Sequence, residues 1–342
     1  MKKLLALILA GGMLLSLVAC NTTSLNNDGT SGGDGTVEEG GSNNGNNGTV
    51  NNNYITDLSE VNVNGVILKP EPSEKPRCYT VYGYNGDSTD VVIPESYSGF
   101  PVSVIWTMNA NTNIRTVTIP GSVTQILDHA FQGCSALEEI HIPKSVTVIG
   151  KGAFSGCSSL RNLTVPFVGN RLDVGENDLA YPLGYIFGTN SYDGGIAVNQ
   201  FYAPAVAINT GYLGGQYVRE DETYYIPSSL TDVTVTGGTL YHGAFYDCSM
   251  IKAITLSDEV DRIGMSAFSR CSALETITLG NGITTIGSGA FENCTSLQGV
   301  YIKDLDAWQR IEFLGNNLAT NPLYYAKKLY LNGELYSDSD AQ

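Results

Sequence analysis

Charge is scarce in this chain. Lys, Arg, Asp and Glu make up 15% of its 342 residues, against about 25% in an ordinary globular protein. Bases are scarcer than acids, 18 against 34, which leaves a net charge of −16. Nucleic-acid binding draws on a Lys/Arg surplus to displace counterions, so that class of partner is excluded. The three histidines, His129, His141 and His242, fall in no His-Glu-x-x-His or comparable spacing, and no Cys-x-x-Cys completes a ligand set, so no metal is expected. Gly-x-Ser-x-Gly, a Walker-type loop and a strand-to-helix Gly-x-Gly-x-x-Gly are absent as well. The paired acids at Glu138/Glu139 and Glu220/Asp221/Glu222 read as solvated surface rather than a glycosidase pair. The expectation is a protein without catalysis or cofactor. Glycine is abundant, at 39 residues, but lacks the three-residue period of collagen.

One long apolar run is present, at the start. Two lysines precede Leu4 to Ala19, broken only by Gly11, Gly12 and Ser16, which is the pattern of a secretory signal. The run falls short of the roughly 20 apolar residues a bilayer span needs and has no basic flank after it. From Asn21 to Asn53, 26 of 33 residues are Asn, Gly, Ser or Thr. Such a segment cannot offset its ordering entropy and is expected to be a disordered tether with a reach of roughly 30 Å.

Beyond the tether the chain repeats. Ala-Phe-x-x-Cys occurs at Ala130–Cys134, Ala153–Cys157, Ala244–Cys248, Ala267–Cys271 and Ala290–Cys294, with spacings of 23, 91, 23 and 23. Residues 133–154 match 270–291 position by position. Leu137, Ile140 and Ile142 alternate with polar residues at the end of the set, as a strand with one buried face requires. A Pro or Gly then turns the chain, at Pro120, Pro143, Pro166 and Gly280. A second short extended piece, such as Val146 to Ile149, closes on Gly150. No unit of 23 residues buries its own apolar face, so the units must stack into a solenoid. Phe131, Phe154, Phe245, Phe268 and Phe291 would then form a spine on the convex side.

The pattern Leu-x-x-Ile-x-Ile-Pro, Val-x-x-Ile-Gly, Ala-Phe-x-x-Cys-x-x-Leu resembles the BspA-like class of leucine-rich repeats found on bacterial surfaces. The resemblance is strong for 114–166 and 230–302, and weaker for a divergent first unit at 79–105. In that unit Trp106 stands in place of the Gly and no Ala-Phe follows. It implies a β-rich, horseshoe-like leucine-rich-repeat solenoid of 23-residue units, with parallel strands and short helical or irregular turns. The expected organisation is a signal peptide over 1–20, a tether over 21–53 and a repeat domain over 54–342. Within the last lie divergent units at 54–116, repeats at 117–166, an irregular interruption at 167–229, repeats at 230–304 and a C-terminal cap at 305–342. Leu17-Val18-Ala19-Cys20 likewise resembles the bacterial lipobox, which implies a lipidated Cys20 holding the mature protein outside the cytoplasmic membrane, at the cell surface. The five repeat cysteines occupy one position. Their stacking brings equivalent Cα atoms near 5 Å, within disulfide range, yet parallel inward side chains rarely meet a disulfide's torsion, and buried free thiols are favoured.

Two regions are candidates for binding. The outward strand column holds Thr118, His141, Thr164, Thr234, Thr255, Thr278 and Tyr301, although threonine there also follows from β propensity. The interruption at 167–229 holds eight of the 20 tyrosines, among them Tyr181, Tyr185, Tyr192, Tyr202, Tyr212 and Tyr217. Tyrosine beside glycine suits adaptable recognition loops; it equally suits a patch over degenerate coils, and Leu183 to Gly188 is similar to an insertion common in the resembled family. The function expected is recognition of an extracellular protein or glycan, of adhesion type, with glycan or peptide capture for uptake or wall attachment as the alternative.

Overall fold

The computed structural model describes residues 54–72, 74–175, 178–204 and 220–336. Cys20, the tether, Tyr212 and Tyr217 lie outside the described residues. The chain winds as a β-solenoid of about nine stacked turns. Each turn contributes one strand to a long sheet and, in most turns, a shorter strand to a second face.

One regular turn shows how the sequence builds both. Glu139 and His141 are exposed while Ile140 and Ile142 are buried, so the strand Glu139–His141 presents a polar outer and an apolar inner row. Pro143 fixes φ and, lacking an N–H, ends the strand. Val146 and Ile149 return the chain along the second face, both buried. Gly150 then lets the next coil pass: a Cβ there would lie 2.2 Å from the Asp128 amide nitrogen. Ala153, Phe154 and Cys157 close the turn, all fully buried.

The long sheet runs through ten strands without a gap, from Asp90–Val92 to the antiparallel pair Leu329–Leu331 and Glu334–Leu335. The second face is broken. A first sheet ends at Val148–Ile149, and a separate four-stranded sheet begins at Gly238–Leu240. Each solenoid end is closed by an Asn-Gly hairpin in left-handed conformation, Asn64-Gly65 at one and Asn332-Gly333 at the other, the residues such tight turns favour. The first hairpin extends the second face and the last extends the long sheet.

The phenylalanine spine forms as two runs. Phe131 and Phe154 stack at 5.1 Å and 8°, Phe245 and Phe268 at 5.4 Å, and Phe268 and Phe291 at 5.2 Å. Met108 and Thr320 occupy the equivalent place beyond each end, since the Met108 amide bonds to Ala130 O and the Phe291 amide to Ala319 O. The divergent first unit therefore lacks Ala-Phe but still fills its slot, with a fully buried methionine.

The repeat also continues inside 167–229. The Gly152 and Phe154 amides donate to the carbonyls of Tyr185 and Ile186, so Phe187 takes the spine position and contacts Phe154 at 6.4 Å, tilted by 53°. The spacing of 91 between Phe154 and Phe245 is thus two turns, each enlarged, and not the near-fourfold multiple of 23 that it resembles. The surplus includes a long antiparallel hairpin, Gly195–Pro204 with Glu220–Pro227.

Candidate functional site

Strand register fixes the outward rows of the long sheet. Thr118 pairs with His141, His141 with Thr164, Thr164 with Thr234, and the row continues through Thr255 and Thr278 to Tyr301 and Tyr330. At about 4.8 Å per strand, His141 and Tyr301 lie about 24 Å apart. They belong to one face but not to one site. Tyr301 stacks on Tyr330 with ring centres 4.6 Å apart, and both rings lean over Gly299, where a Cβ would meet them at 3.0 Å.

His141 sits in an open depression of about 340 Å³ on this face, lined also by Thr116, Thr118, Glu139, Asn162 and Thr164. A second row runs beside the threonines: Asp90, Thr116, Glu139, Asn162 and Asp232, each paired with the next. The sequence reading does not single this row out, although the steps from Thr116 to Glu139 to Asn162 are the repeat spacing of 23. Thr116 donates to Asp90 at 2.7 Å and Thr231 to Asp232 at 2.6 Å. At the strand starts Arg115 pairs with Glu138 at 3.2 Å and Lys252 with Glu275 at 3.8 Å. The bases nearest the row are thereby turned to other carboxylates, apart from Arg161. No described hairpin residue lines the depression.

The tyrosines gather elsewhere. Tyr181 lies 4.6 Å from Tyr185 and 5.0 Å from Tyr202, packed between the hairpin and the turn at 183–188. Burial pushes the Tyr185, Tyr192 and Tyr224 hydroxyls up, and that of Tyr181 too, with Glu220 adding to the effect and Arg171 opposing it. Tyr202 is pushed up to about 12, chiefly by its hydrogen bond to Glu220. Tyr192 donates to Tyr225 O at 3.0 Å, and Tyr224 is 1% exposed. The rings of Tyr181, Tyr185, Tyr192 and Tyr224 pack in the seam that the enlarged turns open.

The hairpin is held by a residue that sequence reasoning passes over. Gln200 is fully buried; its carbonyl accepts from Gly184 N at 2.8 Å while its amide donates to Tyr246 O at 2.7 Å. Phe201 beside it packs edge-on against His242 and Tyr246 at 4.7 and 5.1 Å. Inward alternation along the hairpin, Val198, Gln200, Tyr224 and Ile226, is the one trace of this role in the sequence.

Cys134, Cys157, Cys248, Cys271 and Cys294 are free and buried. Cys157, Cys271 and Cys294 donate to the phenylalanine carbonyl of the preceding coil at 3.1–3.3 Å. Cys248 instead accepts from Gln200 at 3.3 Å, because the hairpin stands where that coil would be. Burial pushes Cys134 up to about 11 and Cys294 to about 12, so the thiolate form is disfavoured. Among the described residues no group of His, Cys, Asp and Glu could hold a metal, and no helix is long and apolar enough to cross a membrane.

Parallel coils with an aromatic spine, a thiol ladder and a polar outward sheet face define a leucine-rich-repeat solenoid. The model of the BspA type leucine rich repeat region matches in six copies, over residues 107–174 and 221–320. The repeats of this chain are leucine-rich repeats of the BspA type. No curated protein matches the chain. Among solved structures it is similar to a leucine-rich repeat protein of T. pallidum, at 20% identity over 71% of each chain with a TM-score of 0.27. A leucine-rich cell surface protein of Faecalibacterium prausnitzii matches at 17% identity over 83% of this chain and 97% of that one, with a TM-score of 0.26. A leucine-rich repeat protein of Eubacterium ventriosum matches at 19% over 82% and 55%, with a TM-score of 0.34.

Proposed function

We propose that this chain is a surface-displayed, non-catalytic recognition protein, anchored by a lipid on Cys20, that takes an extracellular protein or glycan on the long sheet. The observation that carries this reading is the contrast between the two candidate regions. The threonine and histidine row faces outward across an uninterrupted sheet, while Tyr181, Tyr185 and Tyr192 are engaged in packing. A polar, hydroxyl-rich face on a rigid scaffold positions hydrogen-bonding groups at low entropic cost. Of the tyrosines, Tyr202 and Tyr301 remain as contributors at the margins. The stacked Tyr301–Tyr330 pair favours a glycan as the second reading, since aromatic rings give large contact area to sugar rings.

The test is a binding screen of residues 21–342 against extracellular matrix proteins, mucins and wall polysaccharides. A partner should be found whose binding is lost in the His141→Ala, Thr164→Ala double variant and kept in Tyr202→Ala. The reverse pattern moves recognition to the hairpin, and turnover of any of these substrates overturns the non-catalytic reading. In cells, radiolabelled palmitate should enter the protein and fail to enter Cys20→Ser. Label that survives this substitution removes the anchor.

A further inference from the structure

The geometry points to a class of ligand for the N-terminal half of the long sheet: a cationic peptide in the extended polyproline II conformation, with a basic residue at every third position. The inference rests on the reading of this sheet as the binding face. Its basis is the row beside the threonines. Asp90, Glu139 and Asp232 alternate with the neutral Thr116 and Asn162, so carboxylates recur at every second strand. With about 4.8 Å between strands, that is a carboxylate about every 9.6 Å along the solenoid axis.

Few peptide conformations carry that period. Polyproline II rises about 3.1 Å per residue with three residues per turn, so residues i and i+3 share a side at about 9.3 Å. A β-strand repeats a side at about 6.8 Å and an α-helix at about 5.4 Å per turn. Laid along the axis, a polyproline II segment with Lys or Arg at every third residue sets successive cations over Asp90, Glu139 and Asp232. The same conformation has no internal hydrogen bonds. Its carbonyl groups are open to the hydroxyls of Thr118 and Thr164, which flank the carboxylates in the adjoining row. All three carboxylates are exposed, and the depression at Thr116, Glu139 and His141 gives the ligand a floor. Arg161, at the start of the strand carrying Asn162, would oppose such a ligand. The bases Arg115 and Lys252 are held by Glu138 and Glu275.

The experiment compares three fluorescent peptides of one composition at low ionic strength, binding to residues 21–342. They are (Pro-Pro-Lys)n, an isomer with all lysines consecutive and an isomer with lysine at alternate positions. The regular peptide should bind about tenfold more tightly than either isomer, and salt should abolish the difference. Glu139→Gln should weaken it about fivefold. Arg161→Gln should strengthen it, and Asp221→Asn, on the hairpin, should leave it unchanged. Equal binding of the isomers, or loss through Asp221→Asn with none through Glu139→Gln, overturns the proposal. If no peptide binds while another partner is still lost in His141→Ala, Thr164→Ala, the cationic class fails and the binding face stands.

Discussion

The two faces of the solenoid meet the same insertion and answer it differently. On the long sheet, Asn162 pairs with Asp232 in register although 70 positions separate them. On the second face, among the described residues, no parallel strand follows Val148–Ile149 in that coil, and Arg171 makes an isolated antiparallel bridge to Val148. Stacking asks only that each coil return to the right height, and the entropy of closing a longer loop grows slowly with its length. The excursion can therefore be large on one side while the other keeps an unbroken row of side chains. The face that stays regular is the one with repeating outward chemistry; the broken face absorbs the irregular chain.

This contrast is tested first at the spine, where the largest effect is expected. Phe268 stacks on both Phe245 and Phe291 and is fully buried. Phe268→Ala should cost about 3–5 kcal/mol by chemical denaturation, with a first transition confined to the C-terminal coils because repeat units couple only to neighbours. Phe187, tilted beside the insertion, should cost less on truncation, about 2–3 kcal/mol. Equal losses would mean that the enlarged turns pack as well as the regular ones.

The next effects fall on the hairpin. Gln200→Leu removes the partner of Gly184 N and Tyr246 O inside the protein, at about 2–3 kcal/mol. Amide exchange should rise first at Gly184 and along 195–204. A smaller cost follows Gly243→Ala, where the new Cβ would lie 2.4 Å from Phe201 Cζ at φ +69°. Ser266 holds the equivalent place one coil later at φ +53°, so the backbone alone admits a side chain there. Gly243→Ala should cost about 1–3 kcal/mol, and Ser266→Gly, which removes a Cβ at a similar φ, should gain less than about 1 kcal/mol. A gain in Ser266→Gly as large as the loss in Gly243→Ala would assign the whole effect to the backbone and none to the docked ring.

The difference between the faces also separates what could be read from the sequence. Glu139, Ile140, His141 and Ile142 announce their strand by alternation, and Ala-Phe-x-x-Cys announces the turn, because each regular coil repeats the same local demands. His141 and Tyr301 were legible as outward residues for the same reason. Phe187 was hidden because its coil has Ile-Phe-Gly where others have Ala-Phe-x-x-Cys, and because 33 residues rather than 23 separate it from Phe154. Thr164 and Thr234 were legible as one column, which puts Asn162 and Asp232 in the row beside it, but that the two strands are direct neighbours could not be counted across an insertion of unknown height. Gln200 escaped because its role depends on two carbonyl and amide groups from distant coils, a relation no local pattern carries.

The smallest effect concerns two tyrosines that reach a similar value by different routes, one in each half of the chain. Tyr82 is pushed up to about 12 mainly by burial, with its hydrogen bond to Glu71 second. Tyr202 is also pushed up to about 12, but its hydrogen bond to Glu220 leads and burial follows. In both, the folded state favours the neutral phenol, so the contribution to stability is fully present below about pH 10, the unfolded value. It is lost as pH rises from there to about 12. Removing the carboxylate partner should separate them in a titration followed by phenolate absorbance. Glu220→Gln should bring Tyr202 most of the way back toward its ordinary range, whereas Glu71→Gln should leave Tyr82 still raised by its surroundings. Tyr202→Phe should delete one phenolate from the late step with almost no change in melting temperature, because an exposed pair contributes little. If Glu220→Gln leaves the late step intact, the hairpin tyrosine is as enclosed as Tyr82, which lies on the intact first stretch of the second face, and the inserted chain is packed as tightly as that stretch.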